Sequence, residues 1–237
     1  MGTLLMVRHG QASFMEANYD KLSTVGEGQA RLLGQWWATH GVRLDRIYTG
    51  PRARQQRSAL LAGEAYRELT GFWPEPVLLE DLDEMQTEDV LKRAMPGLLT
   101  THPDVVTLVE AFQSAGDPKE TAKKFQKLFE RVVAMWAKGE LQVQGVEPWD
   151  AFVARTHAVI RKMCGDGGGL VAAFTSAGPV SAAMQRALGT DADTTLQLAW
   201  MVRNASVSEF LFTADRFSLS SFNTMAHLPD RANWTYR

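Results

Sequence analysis

A three-layer α/β/α sandwich, with a mostly parallel sheet and a helical insertion, is the fold this sequence predicts. Three observations carry the prediction. Short apolar runs alternate with helical repeats toward both ends of the chain. Polar or glycine-containing loops follow those runs. The middle third turns wholly helical. Strands alternating with helices imply right-handed crossovers and a mostly parallel sheet covered on both faces. At about 150 residues per domain, 237 residues suit one large domain or two small ones. The expectation is a single domain over residues 1–237 with its insertion at about 87–147.

The elements follow in order. Thr3 to Val7 is apolar and ends in charge and glycine, as a buried parallel strand does. Thr24 with Glu27 three places on suits a capping box, and Ala30, Leu33 and Trp37 follow at helical spacing. Arg46 to Thr49 reads as a second strand, and Gly50-Pro51 turns the chain. Arg52 to Leu69 reads as a helix ended by Gly71, and Val77 to Leu79 as a third strand. Between Met85 and Pro148 the pattern is helical. Asp104 to Ala115 carries Val105, Leu108, Val109 and Phe112, and Asp117-Pro118-Lys119-Glu120 is a strong helix start. The apolar face running from Phe125 through Phe129 to Trp136 reads as core, and Gly139 stops that helix. Trp149 to Met163 is a further helix, and Asp166 to Gly169 a glycine-rich turn. Leu170 to Phe174 is a strand, and Pro179 to Leu188 a helix. Ser206–Thr213 and Arg216–Phe222, flanking Ala214-Asp215, suit a hairpin at the sheet edge.

Composition removes several classes of function. With 45% apolar residues the chain is not globally disordered, and no apolar run approaches the roughly 18 residues of a membrane span. A net charge of −2 speaks against a dedicated nucleic-acid binder. The single cysteine, Cys164, leaves no internal disulfide framework, zinc finger or CxxC pair. The short apolar start has no basic residue ahead of it, so a cytoplasmic location is expected. Neither nucleic acid nor membrane is expected as a partner. The tryptophan-rich helices leave room for a homodimer.

Ligands of an open α/β sheet bind beyond the carboxyl ends of its strands. Four polar stretches fall at such ends: Arg8-His9-Gly10-Gln11, Pro51-Arg52-Ala53-Arg54, Asp81-Leu82-Asp83-Glu84 and Thr175-Ser176-Ala177-Gly178-Pro179. Arginine forks match phosphate oxygens, and a helix N-terminus after Gly178 adds backbone N–H groups. Together they would hold a phosphomonoester carrying roughly −1.5 to −2 charges. Neutral His9 could accept the phosphoryl group, and Glu84 could protonate the departing alkoxide where its surroundings raise its pKa. Water would then release the phosphate, with Glu84 as base. The arginines would supply the electrostatic stabilisation that a metal ion gives elsewhere, so neither metal nor cofactor is expected.

Leu5-Met6-Val7-Arg8-His9-Gly10-Gln11 resembles the signature of the histidine phosphatase superfamily, the phosphoglycerate-mutase-like proteins. Leu22 to Ala30 with Leu33-Gly34 resembles that family's first helix. Tyr48 to Arg54, ending at Ser58-Ala59, resembles its second arginine motif, and Leu82-Asp83-Glu84 the segment with its acid. Asn204-Ala205-Ser206-Val207, and Asn223 with His227-Leu228, are also similar. The resemblance covers most of the chain outside about 87–147. It implies His9 as the phosphorylated nucleophile, Arg8 and Arg54 as phosphate ligands, Glu84 as proton donor and a phosphorylated small molecule as substrate. Gln11, Ala177 and Asn204 complete the candidate set.

One departure matters. Where the family usually has a second histidine, in His-Gly-Gly, this chain has Thr175-Ser176-Ala177-Gly178, so Ser176 takes that place as a phosphate-binding candidate. A hydroxyl donates one neutral hydrogen bond and brings no charge, a loss on the order of 2–4 kcal/mol of transition-state stabilisation. Arg203 is a candidate to offset it. The competing reading is a catalytically impaired phosphate-binding or regulatory protein of the same fold. A mutase is less favoured, since Phe14-Met15 stands where cofactor-dependent mutases usually show tryptophan and asparagine. Ser176 also suits a cap for the following helix. Arg52 is a weaker second to Arg54. His157 reads as a partly exposed structural histidine, His40 and His102 as loop or helix-end residues, and His227 as the holder of a structural hydrogen bond.

Overall fold

The computed structural model describes residues 1–13, 20–165 and 168–236. Phe14-Met15 and the start of the glycine-rich turn at 166–167 lie outside the described residues. Two compact units emerge, Met1–Glu84 with Arg155–Arg237, and Met85–Ala154.

The first unit is built on a six-stranded sheet ordered β3-β2-β4-β1-β5-β6. Its strands are β1 (Gly2–Arg8), β2 (Arg46–Thr49), β3 (Val77–Leu78), β4 (Gly169–Thr175), β5 (Val207–Phe212) and β6 (Phe217–Thr224). The first four run parallel, with Arg8 opposite Thr175 at the end of the central ladder. β5 pairs antiparallel with both β1 and β6, which makes the expected hairpin, with β6 at the edge.

Alternation along β1 and β4 explains the layers, because successive side chains point to opposite faces. Leu4, Met6, Val171 and Ala173 pack with Val159, Ile160 and Met163 of α6 (Trp149–Cys164) and Val180 and Ala183 of α7 (Ala177–Leu188). Leu5, Val7, Ala172 and Phe174 pack on the other face with Leu33 and Trp37 of α1 (Thr24–Thr39) and Ala59, Ala62 and Tyr66 of α2 (Ala53–Thr70). Each fully buried valine, leucine, isoleucine, methionine or phenylalanine among them contributes about 1.5–3 kcal/mol relative to exposure.

Several boundaries differ from expectation for local reasons. The N-cap of α1 is Ser23, whose hydroxyl accepts from the Gly26 amide; Glu27 makes no capping box and reaches Arg57 instead. Helix α7 starts at Ala177, two residues ahead of Pro179, so Gly178 lies in its first turn and not before it. Gly169 is the first residue of β4 and not part of a turn. Helix α8 (Ala192–Met201) was not expected, although Asp191 caps it by accepting from Thr194 N–H.

The helical stretch expected over about 87–147 lies within the second unit, which holds α3 (Thr87–Thr101), α4 (Pro103–Gln113) and α5 (Pro118–Ala137). Asp117 caps α5 by accepting from Lys119 and Glu120 amides, as its sequence predicts. The buried face of α5 runs through Leu128, Phe129, Val132, Val133 and Trp136, and Trp136 meets Trp149 edge-on at 5.4 Å.

Candidate active site

The strand-end candidates of the first unit gather at the carboxyl edge of the parallel strands. Arg8 ends β1, and His9 follows it, buried at 4% exposure. The His9 backbone is fixed on both sides: its N–H donates to Thr175 O, and its carbonyl accepts from Ala205 N and from the Asn204 amide. Ala205 adopts φ 58°, a left-handed conformation that is unfavourable for a residue with a Cβ. That local strain is held in place by the hydrogen bond to His9.

The His9 ring has partners at both nitrogens. Nδ1 lies 2.7 Å from Gly10 O, and Arg54 Nε donates to Nε2 at 3.0 Å. A guanidinium can only donate, so Nε2 carries the lone pair and Nδ1 the proton. Burial holds the imidazole well below its ordinary pKa of 6.5; the positive charges of Arg54 and Arg8 push the same way, and the Gly10 hydrogen bond opposes them. His9 is therefore a neutral imidazole at pH 7, with its lone pair facing a cation.

Arg54 occupies the first turn of α2 at 7% exposure. Its Nη1 donates to Asp20 Oδ1 at 3.0 Å, and the other Asp20 oxygen accepts from Ala53 N. A carboxylate thus sits at the N-terminus of α2, where positive partial charge favours anions. Arg8 donates through Nη1 to Val202 O. Two glycines allow these loops to close: a Cβ on Gly10 would stand 2.3 Å from Gly26 O, and one on Gly26 only 2.1 Å from Gln11 O. Gln11 is fastened through its N–H to Gln29 Oε1 and through its own Oε1 to Ser23 Oγ.

Glu84 Oε1 accepts from Gly178 N–H at 2.9 Å, in the first turn of α7. Arg52 is engaged in a two-pronged ion pair with Asp83 at 2.5 and 3.0 Å. Ser176 is fully buried in the N-cap position of α7, yet its side chain caps nothing; its hydroxyl accepts from Gln55 Nε2 at 2.7 Å. Ala177, the first residue of that helix, is buried beside it. Arg203 stacks over Trp234 and Tyr236 at 5.0 and 5.2 Å.

The remaining histidines divide. His157 is half-buried and pairs with Ala182 O, as a structural histidine would. His227 departs from expectation: it is 4% exposed, and its Nε2 has no hydrogen-bond partner among the described residues. Among those residues no group of three or more His, Cys, Asp or Glu side chains is placed to hold a metal ion. No helix among them is long and apolar enough to cross a membrane.

Asp20 and Gln55 were not marked by the sequence, and Gln29 and Ser58 stood in the quoted motifs with no role assigned. Ser58 Oγ accepts from Gly10 N–H and donates to Arg54 O, which joins the two motif segments. Such polar residues belong to no periodic pattern, and only the long-range pairing marks them.

Solved structures of similar fold include phosphoglycerate mutase from Bacillus anthracis, 17% identical with a TM-score of 0.62, covering 96% of this chain and 95% of that one. Phosphoserine phosphatase from Entamoeba histolytica, solved in complex with 3-phosphoglyceric acid, is 16% identical with a TM-score of 0.61, covering 96% and 100%. A mycobacterial glucosyl-3-phosphoglycerate phosphatase is 17% identical with a TM-score of 0.60, covering 95% and 100%. At such identities the likeness speaks for the fold. No curated protein sequence matches the chain. The sequence profile of the histidine phosphatase superfamily (branch 1) matches residues 4–141 and 118–225, and the chain belongs to that superfamily.

Proposed function

We propose that this chain hydrolyses a phosphorylated small molecule through a phosphohistidine at His9. The observation that carries the reading is the 3.0 Å bond from Arg54 Nε to His9 Nε2, which couples a neutral imidazole lone pair to a phosphate-binding cation. An arriving phosphomonoester places its oxygens on the guanidinium groups of Arg8 and Arg54 and on the Ala177 N–H at the start of α7. Once a phosphate oxygen takes over the Arg54 N–H groups, the Nε2 lone pair is released toward phosphorus.

Nε2 then forms its bond to phosphorus as the ester P–O bond breaks, and the leaving oxygen takes a proton from the Glu84 carboxyl group. The phosphorylated ring is cationic, and the Gly10 carbonyl, accepting from Nδ1–H, steadies it. In the second half, water attacks phosphorus and passes a proton to Glu84. The P–N bond breaks, and neutral His9 and inorganic phosphate remain. Neutral Nε2 suits this role because a protonated imidazole has no electron pair to give.

Turnover of p-nitrophenyl phosphate by the purified protein, lost in His9→Ala, is the expected result. Equal activity in His9→Ala, or phosphate binding without turnover on a broad panel of phosphomonoesters, contradicts it. The second outcome points to the phosphate-binding alternative.

A further inference from the structure

Gln55 carries a device that the motif reading did not contain. It is fully buried in the first turn of α2, next to Arg54. Its Oε1 accepts from Arg52 N–H at 3.0 Å, and its Nε2 reaches Leu82 O at 3.4 Å and Ser176 Oγ at 2.7 Å. The orientation of this amide is determined twice over. A backbone N–H can only donate to it, and a backbone carbonyl can only accept from it. Nε2 therefore faces Ser176, and because an amide nitrogen only donates, Ser176 Oγ must be the acceptor.

A hydroxyl that accepts in this way still has one proton to give. Among the described residues no acceptor takes it, although Ser176 is fully buried. The side chain does not cap α7 either. Neighbouring Thr175 has spent its own hydroxyl on Leu82 O at 2.7 Å. Among the described residues the Ser176 proton is thus an uncommitted buried donor, one residue beyond Thr175, which stands opposite Arg8 in the ladder and whose carbonyl accepts from His9 N–H. A buried donor without an acceptor is unfavourable until something arrives to receive it.

We infer that Gln55 is a positioning residue that locks the Ser176 hydroxyl as a proton donor to the phosphoryl group handled at His9. The inference rests on the phosphatase reading above. It gives the amide–hydroxyl pair the place in which the resemblance leads one to expect a second histidine. The pair supplies a directed neutral hydrogen bond where an imidazolium would supply charge. An acceptor oxygen that becomes more negative in the transition state strengthens that bond, so the effect falls on kcat more than on KM.

The test is a double-mutant cycle, with melting curves confirming that each variant folds. Ser176→Ala removes the donor and lowers kcat on p-nitrophenyl phosphate roughly 3- to 10-fold, with little change in KM. Gln55→Met leaves the hydroxyl free to rotate and has a smaller effect in the same direction. Gln55→Glu presents a carboxylate oxygen that captures the Ser176 proton, and it lowers kcat at least as far as Ser176→Ala. In the Ser176→Ala background both Gln55 changes lose most of their effect. Independent, multiplying effects overturn the inference, since a Gln55 that serves only the α2 start acts the same with or without the hydroxyl. Wild-type kcat in Ser176→Ala overturns it as well. If the wild-type protein turns over no phosphomonoester, the phosphatase reading fails on its own, and the same cycle is read in orthovanadate affinity. Non-additive weakening there supports the donor pair, and additive or absent effects overturn it.

Discussion

The strand-end loop that carries His9 and the C-terminal segment that carries His227 each bury an imidazole, and they treat it in opposite ways. Both rings are 4% exposed, and burial lowers both pKa values. At His227 burial is the whole cause, and Nε2 has no partner among the described residues. At His9 two cations add to burial, and each ring nitrogen has a partner. A lowered pKa by itself therefore says only that a histidine is dry. Chemistry is marked by what surrounds the ring: a guanidinium on the lone pair, a carbonyl on the proton, and a helix start nearby.

The largest effect expected from this contrast is on turnover. Loss of the nucleophile in His9→Ala lowers kcat by on the order of 10⁴-fold or more, while His227→Leu leaves it within about twofold; steady-state kinetics check both. Next comes Arg54→Gln, which removes a charged donor and lowers kcat/KM by roughly 10²–10³-fold. The same change removes the second-largest cause of the depressed His9 pKa, so an NMR titration shows that pKa rising toward 6.5. A wild-type acid limb of kcat/KM that lies well below pH 6.5 belongs to the same account.

Stability gives the third test. His227 titrates at about 4 when folded, against an ordinary value of 6.5. Between those values the unfolded chain binds the extra proton, so stability is present above pH 6.5 and is lost as pH falls toward 4. The loss comes to about 3 kcal/mol by pH 4. Denaturant melts at pH 7 and pH 4.5 are predicted to show a shallower acid loss in His227→Leu than in the wild type. The smallest effect concerns Gln29, which links the two regions: its amide donates to Asn233 O at 2.7 Å and to Thr235 Oγ1 at 3.0 Å, while its Oε1 holds Gln11 N–H. Gln29→Ala removes three part-buried hydrogen bonds and costs about 2 kcal/mol, measurable as a lowered denaturation midpoint.

The parts of this molecule that local chemistry dictates were legible in the sequence. Val7 stops at charge, Asp117 precedes Pro118 and Gly71 ends a helix, and each of these signals operates within a few residues. The mostly parallel sheet and the gathering of loops at one edge followed from alternation and handedness. Ser23 in place of Thr24 as cap was beyond reach, because two adjacent hydroxyls offer the same chemistry and packing chooses between them. Asp191 was a legible cap that went unused, so α8 was missed. Gln55, Asp20 and Gln29 could not be read, since each gains meaning from a partner far along the chain. The Asp20 carboxylate on Arg54 Nη1 becomes visible only when the loop lies against α2.

The central claim is that His9 Nε2 takes the phosphoryl group. Rapid mixing with a phosphomonoester, alkaline quenching and peptide mass spectrometry test it most directly. The account predicts one phosphoryl group on His9, labile in acid and absent from His9→Ala. Turnover that proceeds with no phosphorylated His9 under single-turnover conditions, or with the label on another side chain, contradicts it.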